Sequence, residues 1–194
     1  MSTLENLGHR VEESWPNALQ DPKAGNKFLA LWSTNMSVAR ISVSSMLGRP
    51  VTKDDFELMN WIMAEYAEST SATAYAQAIR ETTNYRRAIA QWWADGFDIL
   101  VTPTSSLVSP LLGMFDNDTT DPMRPMRASG AFLGFTQPFN VSGQPAISLP
   151  LHRTAAGLPV GVQLVAAYGR DDILIRLAAQ LEQAMPWAHL RPPL

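Results

Sequence analysis

The sequence contains no cysteine among its 194 residues. This absence excludes disulfide bonds, a thiol nucleophile and every zinc site that depends on cysteine ligands. A chain without disulfides suits a reducing compartment, so we expect a cytoplasmic protein. The remaining residues form no recognisable ligand pattern either, and we expect neither a metal nor another cofactor.

Excess charge and long apolar runs are absent as well. The net charge is −3, whereas nucleic-acid binding requires clustered lysine and arginine. The nearest basic pair, Arg86 and Arg87, is interpreted as the solvated face of a helix. No apolar stretch approaches the roughly 20 residues that cross a bilayer, and residues 1–16 lack the apolar centre of a signal peptide. We therefore expect a soluble protein that binds neither nucleic acid nor a membrane.

Apolar residues make up 46% of the chain, which is enough for one substantial core. Helical spacing alternates with short β-branched runs, so we predict a single α/β domain over residues 1–194 with no internal boundary. One helix is expected to end near Gly8, and others to cover residues 28–36, 56–66, 75–92, 131–135 and 170–185. The predicted strands cover residues 9–13, 97–101, 146–151 and 160–165, and a turn at residues 155–157 is expected to join the last two as a hairpin. The strand at 97–101 is apolar enough to be covered on both faces.

Local signals mark several boundaries. Thr52 and Asp55 resemble a capping box at the start of a helix, with Asp in place of the usual Glu. Residues 69–73, reading STSAT, are expected to interrupt the helices around them, and Gly96 to end the second. Residues 105–128 are rich in proline and polar side chains, and a loop of this length is either disordered or functional.

The chain is organised around residues 135–150, which read FTQPFNVSGQPAISLP. Pro138 and Pro145 restrict the backbone, and Gly143 permits a positive φ. Asn140 and Ser142 can hydrogen-bond the local backbone. We therefore predict a turn that requires a residue without Cβ at position 143, followed by a strand. On spacing alone, a loop and strand of any α/β domain would explain the pattern.

Three ordered segments resemble the amidase signature family of serine hydrolases, which cleave amide bonds. They are FDILVTPT at residues 97–104, FTQPFNVSGQPAISLP at 135–150 and GLPVGVQLV at 157–165. The resemblance implies helices flanking a mixed β-sheet that is part of a larger amidase fold. It also implies an amide as the small-molecule substrate.

The family's catalytic signature is missing from the 194 residues. Family members carry a GGSSGG-like stretch with the nucleophile, a second serine and an upstream lysine, all N-terminal to the segments matched here. The chain therefore resembles the C-terminal portion of an amidase that lacks the Ser–Ser–Lys triad, and no catalytic residue is assigned to it. Its expected partner is the N-terminal catalytic portion, or a second copy of itself by self-association. The apolar strands at 97–101 and 160–165 are expected to lie close to the surface that the missing portion leaves uncovered.

Two other functions remain open. The chain could be a non-catalytic binding or oligomerisation domain that retains the fold. It could also be a self-sufficient hydrolase that uses Ser105 or Ser106, which follow a strand end, although no partner base can be named.

The resemblance assigns this part of the family a role in walling the substrate pocket. Carried over, it indicates Thr104, Met114, Phe115, Phe132 and Leu133 as substrate-binding residues. Members that bind free glutamine have an acidic residue where this chain has Leu133. An apolar residue cannot pair with an α-ammonium group, so a hydrophobic or neutral amide is expected. The alternative is that all five residues belong to the ordinary core.

The other polar residues are interpreted structurally. The three histidines, His9, His152 and His189, share no ligand or triad spacing. The aspartates in residues 116–121 begin like a calcium loop, but the central glycine and the distant glutamate are missing. Ser44 and Ser45 lie in a helical pattern without flanking glycines. Lys27 and Lys53 are isolated in the sequence and make no convincing catalytic lysine.

Overall fold

The computed structural model describes residues 2–21 and 24–190. The helices are α1 (Ser2–Asn6), α2 (Ala24–Leu47), α3 (Leu58–Glu68), α4 (Ala72–Ala94), α5 (Arg124–Gly130), α6 (Gln137–Ser142) and α7 (Asp171–Ala184). The strands are β1 (Ile99–Pro103), β2 (Ala146–Arg153) and β3 (Pro159–Ala166). No helix in these described ranges is long and apolar enough to cross a membrane.

Short polar and glycine signals set the helix ends. Gly48 follows α2 with φ of 65°, and Gly96 follows α4 with φ of 110°. The expected break between α3 and α4 is present, and the Ser71 hydroxyl accepts a hydrogen bond from the Ala74 N–H at 3.1 Å. The Thr52 and Asp55 capping box also forms, but it encloses a 3₁₀ turn, and α3 begins only at Leu58.

The three strands form an antiparallel sheet in the order β1-β3-β2. The α/β class is therefore confirmed, whereas the pairing within the described residues is antiparallel rather than mixed. The short turn at residues 154–158 makes β2 and β3 antiparallel, because parallel strands need a much longer connection. The turn was expected at residues 155–157, and its position is confirmed.

Helices cover both faces of the sheet. Leu100 and Val165 pack with Ile89 and Trp92 of α4 on one face. On the other face, the neighbouring Leu164 and Ala166 pack with α7, and α1 joins them. This alternation follows from the period-two geometry of strands. On the first face, α2 packs in turn against α3 and α4.

The structure corrects four local predictions. Residues 9–13 were expected to form a strand, but they pair with no strand of the described residues. The predicted helix at 131–135 is a series of turns between α5 and α6. Each of these two helices has a proline in its first turn, and the helical residues lie on either side of 131–135.

Two further predictions concern β1 and the segment before β2. Val101 of β1 is 41% exposed, so β1 is not fully covered on both faces. The backbone between Pro138 and Gly143 is mostly helix α6 rather than an open turn.

The positive φ expected at Gly143 is nevertheless confirmed. Gly143 ends α6 in the left-handed region with φ of 76°, which favours glycine. The Ser142 carbonyl accepts a hydrogen bond from the Arg86 guanidinium at 3.0 Å. Arg86 is exposed but is therefore not a purely solvated residue, since its side chain fastens α4 to the end of α6.

Candidate functional site

The candidate site begins where β1 ends. The Thr104 N–H donates to the Gly161 carbonyl at 2.9 Å, which extends the β1–β3 pairing by one residue. The Thr104 hydroxyl lies 2.6 Å from the Ser148 hydroxyl on β2. The Thr104 side chain therefore reaches across the central strand and connects the end of β1 to β2.

This crossing requires glycine at position 161. A Cβ there would lie 2.7 Å from both the Ser148 and Thr104 hydroxyl oxygens and 3.0 Å from the Thr104 Cβ. Contacts this short force a shift of the neighbouring side chains. Gly161 thus provides the space in which the two hydroxyl groups meet.

Gln163 of β3 fastens the segment before α6 to the sheet. Its side chain is buried, and its amide nitrogen donates to the Thr102 hydroxyl at 3.0 Å and to the Phe135 carbonyl at 2.8 Å. A buried amide without such partners would be costly. These two bonds therefore position residues 132–135 beside the end of β1.

An aromatic pair connects the long loop to the same segment. The Phe115 and Phe132 rings meet edge to face, with centroids 5.6 Å apart and planes at 83°. The Ser106 N–H donates to the Phe132 carbonyl at 3.4 Å, and Gly134 packs against the Ser106 hydroxyl. The loop after β1 therefore folds back on residues 132–134.

Met114 and Leu133 differ from the other residues of the expected wall. Met114 is half-buried, and its N–H donates to the Leu111 carbonyl. Leu133 is 44% exposed, and its carbonyl accepts from the Thr136 and Gln137 N–H groups at the start of α6. The structure thus brings Phe115 and Phe132 together, joins Thr104 to β2, and leaves the Leu133 side chain facing outward.

Two of the three aspartates in residues 116–121 are neutralised by neighbouring arginines. Asp118 accepts from the Thr120 hydroxyl and from two backbone N–H groups, and these bonds, with the nearby Arg124, lower the pKa of its carboxyl group. Asp121 pairs with Arg127. In the described residues, no group of His, Asp and Glu side chains could hold a metal ion. These contacts fold the loop rather than build a calcium site.

The serines considered as nucleophiles have no base beside them. The Ser105 hydroxyl accepts from the Leu107 N–H at 3.4 Å. Among the side chains that the structure describes, no histidine, lysine or carboxylate hydrogen-bonds to Ser105 or Ser106. Ser44 accepts from the Val51 N–H at the end of α2. The Lys27 side chain lies outside the described part of the structure.

The histidines are surface residues, as expected. The His9 ring nitrogen lies 2.8 Å from the Gln180 side-chain oxygen on α7. His152 lies opposite Val160 on the exposed side of β2, and His189 is exposed in the C-terminal segment. The three rings therefore lie on separate elements.

The residues expected to line the substrate pocket lie outside two cavities of the described part of the structure. These cavities measure about 640 Å³ and about 260 Å³, and neither contains Thr104, Met114, Phe115, Phe132 or Leu133. In addition, Phe115 is 41% exposed. An enclosed site at this surface would need a second wall.

Three residues that support this surface were missed from the sequence. Ser148, Gly161 and Gln163 all lie in the matched strands, yet spacing assigned them no role. A signal was present at Gln163, because a glutamine inside an apolar strand needs a buried partner. The partner Phe135 carbonyl lies 28 residues away and could not be identified from periodicity.

Comparison with known proteins places this fold. The family model described as Amidase matches residues 1–175. A 6-aminohexanoate-cyclic-dimer hydrolase of Pseudomonas sp. (strain NK87) is 38% identical, over 100% of this chain and 40% of the relative. That of Paenarthrobacter ureafaciens is 40% identical over the same shares. The chain thus spans about 40% of the length of these curated relatives.

Solved structures agree with this placement. The structure of a 6-aminohexanoate cyclic dimer hydrolase complexed with substrate superposes with a TM-score of 0.88 and 36% identity. The match covers 98% of this chain and 41% of that chain. A bacterial aryl acylamidase of the amidase signature family shares the fold at a TM-score of 0.71 and 18% identity. The chain therefore belongs to the amidase family.

Proposed function

We propose that this chain forms one wall of the substrate site of an amide hydrolase and that it is the C-terminal portion of that enzyme. The Ser–Ser–Lys triad comes from the portion that these residues do not include. Support comes from the relatives, which are hydrolases about two and a half times as long as the matched region, since the match covers 40% of each. The absence of a GGSSGG-like stretch from the sequence agrees with this division.

The observation that carries the proposal is the arrangement at the end of β1. Phe115 and Phe132, which are far apart in the sequence, meet edge to face there. Thr104 lies on the same end of the sheet, and Gln163 ties the adjoining backbone down. An exposed apolar surface supported by buried hydrogen bonds suits a binding wall, because its position is fixed from beneath.

The chemistry of this wall favours a neutral amide. The Thr104 and Ser148 hydroxyl groups are hydrogen-bonded to each other, and Leu133 presents an apolar side chain. Two nearby aspartates of the loop, Asp118 and Asp121, are paired with Arg124 and Arg127. None of the five proposed wall residues carries a charge that could pair with an ammonium or carboxylate group of a substrate. Two relatives are named for hydrolysis of a cyclic dimer of 6-aminohexanoate, and we extend that kind of substrate to this protein.

The chain acts as one domain in this proposal. Leu4 and Leu7 near its start pack in the same cluster as Leu174 and Leu181 near its end. The first and last helices are therefore held by one core on one face of the sheet, as expected of a unit that folds together.

Activity of the chain alone provides the first test. Without a nucleophile beside the oxyanion donors, little acyl-transfer catalysis remains. The purified chain should not hydrolyse short aryl or alkyl amides or the cyclic dimer, even at high protein concentration. Turnover that disappears in Ser105→Ala or Ser106→Ala would contradict this proposal and establish the chain as a self-sufficient hydrolase.

A chimera provides the second test. The portion of the Paenarthrobacter ureafaciens relative that lies outside the match is fused in front of this chain, and cyclic-dimer hydrolysis is measured. Leu133→Glu in the chimera should raise KM about tenfold or more, because it buries a charge against a neutral substrate. The control is Leu112→Glu, since Leu112 is fully exposed and belongs to no part of the proposed wall. Equal effects of the two substitutions would remove Leu133 from the site.

A further inference from the structure

The cavity of about 640 Å³ lies along the free edge of β1, away from the candidate site. Residues 96–101 form one side of it, and residues 9–12 with Ser14 form the other. No strand of the described residues lies on this side of β1, because β3 is its neighbour in the sheet and β1 comes first in the order. The cavity therefore occupies the place of the next strand.

The backbone of β1 is unpaired towards this cavity. The hydrogen bond from the Thr104 N–H to Gly161 places Thr104, and with it Thr102 and Leu100, in the pairs that bond to β3. Ile99 and Val101 belong to the alternate pairs, so their N–H and C=O groups point away from β3. Each such group needs a partner when it is buried.

The opposite side of the cavity is held in place without strand pairing. The His9 ring is hydrogen-bonded to Gln180 of α7 at 2.8 Å. The Ser14 hydroxyl accepts from the Trp92 indole N–H of α4 at 2.8 Å. Both ends of this segment are thus anchored to helices. The residues between them alternate like a strand but pair with no strand in the described part of the chain.

Helices close the cavity above and below the plane of the sheet. Trp92 of α4 lines it on one face, and Leu4, Ile173 and Leu177 line it on the other. The charged Arg176 at its rim is already paired with Asp172 at 2.8 Å. A strand in this position would be covered on both faces, so its side chains would be apolar in both directions.

We propose that this cavity is a slot for one β-strand of about five residues, supplied by the portion of the protein that these residues do not include. The strand pairs with Ile99 and Val101 on one side and with residues 9–13 on the other. The sheet then continues through the slot, and residues 9–13 become a strand in the whole protein. An apolar strand fits better than a small ligand because the slot offers a row of backbone groups in register.

The identity of the partner rests on the proposed function. The relatives extend well beyond the matched region, which accounts for only 40% of their length, so they possess chain that can supply the strand. The position of the slot, in contrast, rests only on the contacts of this chain. Binding is therefore measured without substrate, so that failure of the slot and failure of the catalytic proposal can be told apart.

Amide hydrogen exchange of the chain, alone and in complex, tests the slot directly. The partner is the part of the Paenarthrobacter ureafaciens relative outside the match, produced as a separate polypeptide. In the free monomer the Ile99 and Val101 amides should exchange about 100-fold faster than those of Leu100 and Thr102. In the complex all four should be protected. The alternate amides of one strand thus serve as internal controls.

A pair of substitutions on α7 provides the second measurement. Leu177→Asp places a charge in the slot and should weaken partner binding about 100-fold, whereas Ile175→Asp, at a residue that is 66% exposed, should leave it unchanged. Circular dichroism verifies that both variants are folded. If Leu177→Asp is unfolded, the exchange measurement on the unmodified chain decides.

Three results would overturn the slot. The partner could bind while the Ile99 and Val101 amides stay unprotected. The partner could fail to bind at all. A second copy of this chain could protect those amides and resist displacement by the partner. A complex that protects both amides but hydrolyses no amide would instead contradict only the proposed function.

Discussion

The two outer strands of the sheet present very different edges. β2 carries Pro150 in its middle, an irregularity in pairing between Leu149 and His152, and the exposed Arg153 at its end. β1 reads Ile-Leu-Val at its start, with no charge and no irregularity in pairing, and its proline, Pro103, is its last residue. Proline, bulges and charge are the devices by which natural edge strands avoid pairing with other chains.

This difference shows which edge is an end of the sheet. β2 is protected against further pairing and suits a true outer strand. β1 has the composition of an inner strand and faces a cavity bounded by helices. The difference supports the proposal that the three-stranded sheet continues beyond β1, and the chain spans about 40% of its relatives.

The largest expected effect concerns the turn that leads into the protected strand. Gly143→Val should prevent soluble folding, because β2 begins three residues later and depends on this turn. A β-branched residue at φ of 76° costs about 1–3 kcal/mol in local strain. Its Cβ would also lie 3.4 Å from the Arg86 guanidinium, which binds the Ser142 carbonyl. Soluble yield and thermal unfolding measure the effect.

Gly143→Asn is the matched variant, because asparagine tolerates the left-handed region far better than valine. It should remain soluble and lose only about 1 kcal/mol. A Gly143→Val protein with native circular dichroism and an unchanged melting temperature would show that the turn does not depend on glycine.

This turn also shows how far local sequence signals reach. The need for glycine at position 143, the hairpin after β2 and the helix ends at Gly48 and Gly96 were predictable, because each depends on a few neighbouring residues. Helix α6 was not predicted, because Pro138 and Gly143 suggested a turn although proline is well accepted in a first helical turn. Whether residues 9–13 pair with a strand depends on residues that are distant in the sequence, and no local pattern reveals it.

The next effect tests the unprotected edge itself. We expect the isolated chain to self-associate at about 100 μM, because an unpaired apolar strand attracts other chains. Val101→Lys should restore a monomer, and the partner polypeptide should displace the second copy. His152→Lys on β2 is the control and should leave association unchanged. Light scattering over a concentration series distinguishes these outcomes, and a chain that is already monomeric would contradict the expectation.

Not every strand expected near the uncovered surface lies there. Residues 160–165 were predicted to be close to it together with 97–101. β3 is instead the central strand, and its Leu164, Val165 and Ala166 are fully buried. Strand order depends on long-range pairing, so hydrophobicity alone could not separate the central strand from the unprotected one. The same limit applied to the site, where the resemblance indicated Phe115 and Phe132 but not Gln163 beneath them.

A smaller effect should follow when the protection of β2 is removed. Pro150→Val restores a backbone donor, and Arg153→Val removes the exposed charge at the end of the strand. The double variant should gain a second mode of association, visible as species larger than a dimer. The pairing irregularity between Leu149 and His152 remains, so we expect only about a tenfold change in association constant. Sedimentation of the double variant that also carries Val101→Lys measures association through β2 without association through β1. If this protein is a clean monomer, the pairing irregularity alone protects β2.

The smallest effect concerns the helix layer behind the unprotected edge. Burial in the cluster that contains Trp92 and Leu100, together with the nearby Asp21, raises the pKa of Tyr85 to about 12. In the unfolded chain the tyrosine pKa is about 10. Because the folded value is the higher one, the neutral phenol stabilises the fold fully below pH 10, and this contribution is lost as the pH rises towards 12. The free energy of unfolding in urea should therefore fall less steeply between pH 8 and pH 12 for Tyr85→Phe than for the unmodified chain.

Tyr66→Phe, at a tyrosine that is 49% exposed, is the control for this measurement. Parallel curves for the unmodified chain and Tyr85→Phe would show that the phenol is reached by solvent behind β1, and the unprotected edge would then extend into this helix layer.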